Sequence, residues 1–195
     1  MISKKIYGII LGIKPLGELD RFLIVFSREY GMITISAKGV KKITSHRGFH
    51  LDLLNMAHLD IEEVGIDSQP RRYLREVTTE NPFPLLKTNP ESFSAACVIA
   101  TFLKRLLPEN TPQKKLFDLT KKTFEVMNTP ADPKEVLFTY FLKTLRLLGH
   151  LPVTAKKRDL KPMLQKALIQ LDPEFTLNAR RTLGIFSKSE STRSN

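Results

Sequence analysis

The first 80 residues carry a strand-like pattern of hydrophobic and polar positions. Residues 6–13 and 22–26 are short, continuous apolar runs bounded by turn residues, which is typical of strands covered on both faces. Residues 32–38 alternate between apolar and polar side chains, as a strand with one buried face does. The pattern therefore predicts strands here, with a tight turn at residues 29–31 that Gly31 allows.

Two further segments extend this pattern. Residues 51–63 alternate best in their second half, and Asn55 interrupts the apolar face, which predicts a bulge or a bend. After a turn at residues 65–70, residues 73–78 form a fifth predicted strand. Five short strands in so little chain favour a small closed barrel, because closure removes edge strands. An OB-fold is the leading interpretation, and an SH3-like barrel is the alternative.

After residue 82 the hydrophobic period changes from 2 to 3.6. Asn89, Thr111 and Asp132 each precede a proline, which is typical of a helix with a capping side chain and proline in its first turn. A helix is therefore predicted after each of the three. Two weaker helices are predicted further along, at residues 162–171 and 173–183.

The predicted fold class is α+β, an N-terminal five-stranded OB-fold barrel followed by an α-helical domain. The barrel is assigned to residues 1–80, the helical domain to residues 81–186 and a disordered polar tail to residues 187–195. The helix at residues 134–148 is apolar on most of its circumference, so we expect it to be the central helix of a bundle.

Composition narrows the functional classes. The 195 residues include 31 Lys and Arg against 20 Asp and Glu, a formal net charge of +11, and this surplus is spread along the whole chain. Such an excess predicts a polyanionic partner. A single cysteine, Cys97, excludes an internal disulfide and a cysteine-rich zinc site. No apolar run approaches the roughly 20 residues that cross a bilayer, so we expect a cytoplasmic protein without a membrane partner.

The loop at residues 38–48 is the most informative segment. It contains four permanent cations and two glycines, and no carboxylate occurs between Glu29 and Asp52. Lysines and arginines on such a loop can displace the counterions of a phosphodiester backbone without reading its sequence. The predicted phosphate contacts are Lys38, Lys41, Lys42 and Arg47.

Other cations and several aromatic side chains extend this hypothesis. The lesser candidates for phosphate contacts are Arg21, Arg71 and Arg72. Arg71, Arg72 and Arg75 form an arginine cluster on the fifth predicted strand, and Glu76 and Glu80 are close enough in sequence to neutralise part of its charge. The candidate platforms for base stacking are Tyr7, Tyr30, Phe49 and Tyr73. Because none of them alternates with basic residues in a stripe, we expect binding dominated by the nucleic-acid backbone.

Catalytic and metal-binding signals are weak. His46 and His50 are four residues apart but have no third ligand nearby. Asp60, Glu62 and Glu63 form an acidic group without the lysine or histidine that a nuclease site would use. The chain also has no glycine-rich phosphate loop. We therefore expect neither an enzyme nor a cofactor.

Taken together, several segments resemble the bacterial RecO family of recombination mediators. They occur in the family's order and spacing, and the last one matches the end of the family's central helix. They are GELDR at 17–21, SREYG at 27–31, AKGVKK at 37–42 and LRLLGHLP at 145–152.

The resemblance implies an OB-fold followed by helices and a non-enzymatic activity. A RecO-like protein is expected to bind single- and double-stranded DNA and to anneal complementary strands. With RecR it is expected to help load the RecA recombinase onto DNA coated by single-strand-binding protein, whose acidic C-terminal tail it binds. Lys143 and Arg146 are the candidate contacts for that tail.

The chain departs from the family at one place. Many members follow the 145–152 segment with cysteine pairs that bind zinc, whereas residues 153–156 here are Val-Thr-Ala-Lys. A zinc site is therefore not expected. Two alternative functions stay open at this point, an RNA-binding OB-fold protein of the translation apparatus and a metal-dependent nuclease.

Overall fold

The computed structural model describes residues 2–41, 46–65, 70–152 and 160–183. The strands are β1 (Ile2–Leu16), β2 (Asp20–Ser27), β3 (Gly31–Ala37), β4 (Met56–Val64) and β5 (Arg71–Asn81), and a short 3-10 helix (His46–His50) lies between β3 and β4. They close into a barrel in the order β1-β2-β3-β5-β4. This confirms the predicted five-stranded OB-type barrel.

Strand β1 separates two hydrophobic cores. Ile6 and Ile10 belong to the core inside the barrel, whereas Ile9 and Leu11 belong to a second core shared with the helices. Since successive side chains of a strand point to opposite faces, a wall between two cores must be apolar on both. This explains the continuous apolar run and confirms that the strand is covered on both sides.

The helices follow after the barrel. They are α1 (Pro84–Thr88), α2 (Pro90–Leu106), α3 (Lys114–Met127), α4 (Pro133–Leu147), α5 (Leu160–Leu171) and α6 (Pro173–Leu183). Helix α2 contacts β1 as well as α1, α3, α4 and α6, so α2 occupies the centre of this part of the molecule. The prediction that residues 134–148 form the central helix was therefore wrong. What sets α2 apart is its contact with the barrel wall as well as with other helices.

Two of the three predicted helix caps are confirmed. The Asn89 side chain accepts hydrogen bonds from the amides of Glu91 and Ser92, both at 3.0 Å, and Asp132 accepts one from the amide of Lys134 at 2.9 Å. These side chains satisfy amides that the first turn of a helix leaves without partners.

The cap predicted at Thr111 was wrong, because α3 begins at Lys114 without a side-chain cap. The chain before α3 is held against the barrel instead, where the Asn110 amide donates to the Met32 carbonyl at 2.9 Å. Gly31, with φ of +73°, lies directly against the Thr111 carbonyl, and a Cβ atom there would collide with it. The contact with the barrel therefore determines the conformation of this segment.

Strand β4 begins at Met56, later than predicted. The preceding Leu54 has φ of +66°, and its amide donates to the Ile10 carbonyl at 2.7 Å. Asn55 is buried and its side-chain amide donates to the His50 carbonyl at 3.0 Å. The predicted bend at Asn55 is therefore confirmed, and it ends the irregular segment that follows the 3-10 helix.

The second core joins the barrel to the helices. Phe26 of β2 meets Phe117 of α3 edge-on at 5.5 Å between ring centroids, and Phe83 meets Phe124 at 6.0 Å. The domain limits assigned from the sequence stay predictions, and the tail at residues 187–195 lies outside the described residues.

Candidate nucleic-acid interface

The barrel has a thin seam where β3 meets β5. The two strands run parallel and are paired through a single bridge, between Ser36 and Tyr73. A cleft of about 310 Å³ lies on one side of this bridge and includes Lys38 and Arg47 in its lining. A cleft of about 390 Å³ lies on the other side and includes Arg71. Several of the predicted phosphate contacts are thereby brought to one region of the barrel.

Four cations define what we call the cationic seam: Arg21, Lys38, Lys41 and Arg71. Lys38, Lys41 and Arg71 are exposed and Arg21 is half-buried. Within the described residues, no salt bridge involves any of the four. The three exposed cations are accessible to a ligand.

Backbone contacts position these cations. Arg21 is the register partner of Ala37, the residue before Lys38. The Lys41 amide donates to the Leu19 carbonyl at 3.1 Å, which ties the loop after β3 to the turn between β1 and β2. The Nζ atom of Lys38 lies 4.9 Å from the centre of the Tyr73 ring, a cation–π contact that leaves the ammonium exposed.

Arg47 has a positioning role. Its guanidinium donates to the carbonyls of Lys38, Leu74 and Arg75 at 3.1, 3.2 and 3.3 Å. The side chain thus joins the 3-10 helix to the end of β3 and to β5. Since carbonyl oxygens are dipoles and carry no net charge, the positive charge of Arg47 still contributes to the potential of the nearby cleft.

Arg72 does not fit its predicted role. Its side chain is only 6% exposed, and its Nε donates to Glu63 at 2.8 Å. Lys4 binds the other oxygen of that carboxylate at 2.5 Å. Burial alone would raise the pKa of Glu63, but the hydrogen bonds from Lys4 and Arg72 outweigh it and lower that pKa. Arg72 is therefore paired with a buried carboxylate, and its side chain is almost completely withdrawn from solvent and from a phosphate.

The acidic partners of the arginine cluster also differ from those expected. Arg75 pairs with Glu62, and Arg72 with Glu63. Both carboxylates lie on β4, opposite β5 in the hairpin register. Glu80 binds Tyr7, His58 and Lys121 instead. In an antiparallel hairpin centred on the predicted turn at residues 65–70, residue 63 faces residue 72. The sequence therefore did contain a signal for the Glu63–Arg72 pair.

Three predicted residues remain, Lys42, Lys143 and Arg146. Lys42 lies outside the described residues. Lys143 is exposed and Arg146 is half-buried, both toward the end of α4, which packs against α2, α3 and α5. The structure thus places the candidate contacts for an acidic tail on the helices and the cationic seam on the barrel.

The candidate stacking aromatics fall into two groups. Tyr7, Tyr30 and Tyr73 are half-buried, and each has a lysine or arginine over its ring at 4.8 to 5.8 Å. Tyr7 also donates from its hydroxyl to Glu80 at 2.7 Å, which is the largest influence lowering the pKa of that carboxyl. Phe49 on the 3-10 helix differs, because it is 83% exposed. Its exposure is a feature that sequence reasoning missed.

The groups with possible chemical roles have structural partners. His50 Nδ1 lies 3.1 Å from the Thr79 hydroxyl, and His58 Nε2 lies 3.0 Å from Glu80. Burial raises the pKa of the Cys97 thiol, which makes it less reactive. Over the described ranges, His, Cys, Asp and Glu side chains form no group of three suited to hold a metal. No helix in the same ranges has the length and apolar character to span a membrane.

Comparison with known proteins gives matches to two family models. Residues 1–69 match the N-terminal model of recombination protein O, and residues 87–158 match its C-terminal model. A protein named DNA repair protein RecO from Desulfitobacterium hafniense is 31% identical over 146 residues, which cover 74% of this chain and 51% of the relative. One of the same name from Syntrophobacter fumaroxidans is 25% identical over 152 residues, covering 78% of this chain and 59% of the relative. The chain thus spans little more than half the length of these relatives.

Proposed function

The chain belongs to the RecO family of recombination proteins, and we propose that it is a non-enzymatic DNA-binding protein of repair and recombination. It would bind single- and double-stranded DNA in the cytoplasm, at the chromosome, through the cationic seam. The exposed charges of Lys38, Lys41 and Arg71 beside the β3–β5 clefts, which form no salt bridge within the ranges that the structure describes, are the observation that carries this proposal. Each such cation that meets a phosphate releases a condensed counterion, which favours binding at low salt.

Annealing follows from the same physics. Two complementary strands repel each other through their phosphates, and a protein with cations on several faces lowers this repulsion. The net charge of +11 and its spread along the chain support this function. Base pairing would supply the specificity, so the protein would not need to read bases.

We also propose the partners that the family implies. With RecR, the protein would help load RecA onto DNA coated by single-strand-binding protein. The acidic tail of single-strand-binding protein would contact Lys143 and Arg146 on α4, next to Leu147, whose side chain is 42% exposed. An acidic peptide with apolar residues suits such a mixed surface, because cations meet its carboxylates at the rim.

The test is annealing of complementary oligonucleotides, bare or coated with single-strand-binding protein. We expect acceleration over the spontaneous rate in both cases, and we expect Lys143→Ala with Arg146→Ala to slow annealing only on coated strands. A matched titration with structured RNA separates DNA repair from the translation alternative. Tighter binding to RNA than to DNA, or no acceleration of annealing, would overturn the proposal. Cleavage of DNA in magnesium or manganese would favour a nuclease instead.

A further inference from the structure

Phe49 is the most exposed of the large hydrophobic side chains described. It is 83% exposed, whereas the other large exposed hydrophobic side chains range from 38 to 61%. A free phenyl ring in water is unfavourable, because burial of apolar surface is the main favourable contribution to folding. Single exposed hydrophobic residues are common on protein surfaces, so a ligand at Phe49 is inferred from its exposure together with the anchoring of its segment and the polar residues beside it.

The backbone around Phe49 is held on both sides. Arg47 anchors the start of the 3-10 helix through its three carbonyl contacts. His50 anchors its end, since its ring contacts Thr79 and its carbonyl accepts from Asn55 at 3.0 Å. The ring is thus presented from a fixed segment, and a preorganised group loses less conformational entropy when it binds.

Gly48 adds a close backbone contact immediately before Phe49. A Cβ atom at position 48 would lie 2.7 Å from the Val40 carbonyl oxygen, so only glycine fits. Val40 is itself 3% exposed and belongs to the barrel core, as does Leu51 on the other side of Phe49. The exposed ring is therefore the outward-pointing part of an otherwise anchored segment.

The residues next to Phe49 on the 3-10 helix are polar. They include His46, Arg47 and His50, and Arg47 binds the carbonyl of Lys38 in the cationic seam. A protein partner would usually need a contiguous apolar patch of several hundred Å², which a single ring beside polar residues does not supply. A ligand that combines flat π-faces with a string of negative charges fits this arrangement, and single-stranded nucleic acid has both.

We propose that Phe49 stacks on an unpaired nucleobase of a strand whose phosphates lie along the cationic seam. Bases are accessible for stacking in a single strand and are already stacked in a duplex, so Phe49 favours single-stranded over double-stranded DNA. This inference rests on the proposed function and deepens it by naming a base contact and a strand preference. It also adds a base contact to the sequence-based expectation of binding dominated by the nucleic-acid backbone.

Three ligands of equal length separate the base from the phosphate contribution: a labelled oligothymidine, an abasic chain and a duplex. For Phe49→Ala we expect the dissociation constant for oligothymidine to rise about tenfold, because base–aromatic stacking contributes that order of affinity. The constants for the abasic chain and the duplex should stay within about twofold, and the salt slope should not change. Phe49→Leu should behave as Phe49→Ala does, whereas Phe49→Tyr should retain the affinity.

A matched control removes another exposed apolar side chain. Leu177 of α6 is 48% exposed, and Leu177→Ala should leave binding to all three ligands unchanged. Thermal unfolding of each variant checks that the fold is intact. A loss of affinity in Phe49→Ala that is equal for oligothymidine and the abasic chain would overturn the stacking inference.

A second measurement uses the absence of tryptophan from the sequence. Phe49→Trp places a single indole at this position, and stacking on a base should quench its fluorescence. We expect quenching by oligothymidine and little change with the abasic chain. If both ligands bind in a salt-dependent manner without quenching, the base contact is refuted and the proposed function stands. If neither ligand binds to the unaltered protein, the proposed function itself fails.

Discussion

Replacement of Arg72 by methionine tests whether this arginine stabilises the barrel or binds DNA. The Arg72 and Glu63 side chains are 6% and 8% exposed, so the change leaves a buried carboxylate without one of its two cations. Loss of one partner from a buried ion pair costs about 3–5 kcal/mol. Lys4, with a 28% exposed side chain, still binds Glu63, so we expect the lower end of that range, about 3 kcal/mol.

The assay is urea unfolding of Arg72→Met, Glu63→Gln and the double variant. Because each single change leaves the other group without its partner, the double variant should be less destabilised than the sum of the two by at least about 1 kcal/mol. The neighbouring Arg71 is exposed and provides the control. Arg71→Met should weaken DNA binding and leave the free energy of unfolding within about 0.5 kcal/mol.

One result would refute this reasoning. If Arg72→Met unfolds like the unaltered protein and lowers the salt dependence of DNA binding as Arg71→Met does, then Arg72 contacts phosphate. The sequence-based assignment would in that case be right, and the buried pair with Glu63 would not be the dominant interaction of this arginine.

Three further predictions follow from the same contacts. Lys38→Ala with Lys41→Ala should lower the slope of log affinity for single-stranded DNA against log salt by roughly 1–2, because two exposed cations no longer release counterions. Gly31→Ala should cost about 2–4 kcal/mol in urea unfolding, because φ of +73° disfavours alanine and its Cβ collides with the Thr111 carbonyl. The lowered pKa of Glu63 means that its stabilising contribution is complete above its ordinary pKa of 4.5 and is lost as the pH falls through the folded-state value. Unfolding free energies measured from about pH 7 down to pH 3 should therefore fall less steeply in Glu63→Gln.

Each of these has a control. For the lysine prediction, Lys104→Ala with Lys134→Ala removes two positive charges from exposed positions on α2 and α4. The slope of log affinity against log salt should not change in this variant. Gly17 also has a positive φ but no atom within 4 Å of its Cβ position, so Gly17→Ala should cost less than Gly31→Ala. If the free energy of unfolding falls equally steeply with decreasing pH in Glu63→Gln and in the unaltered protein, the lowered pKa of Glu63 is contradicted.

The barrel could be predicted from sequence because its signals are local. Alternation in residues 32–38 and the apolar run at 6–13 arise from the faces that each strand buries, and the caps at Asn89 and Asp132 act within one turn. The cap at Thr111 failed because a contact distant in sequence, with Gly31, determines that segment. Local patterns carry no information about such contacts.

The sequence predicted which charged residues belong to the candidate site, but it did not predict how they are arranged. Lys38 and Lys41 are exposed as a binding role requires, but the roles of Arg47 and Arg72 depend on partners in other strands. The exposure of Phe49 has no local signal either, since it results from the anchoring of the residues on both sides. Side chains with the same charge and similar sequence surroundings can thus differ completely in exposure and in their partners.

The position of β1 between two cores has a consequence for truncation and proteolysis of the protein. Its outward residues Ile9 and Leu11, together with Phe26, are covered by the helices. If residues 1–81 were produced alone, these apolar side chains would be exposed to water. Either half alone would lack one side of a shared interior, and a protease cut near Pro82 would release no fragment that persists. The boundary between the barrel and the helices is therefore visible in the sequence, but it does not divide the chain into two independently stable units.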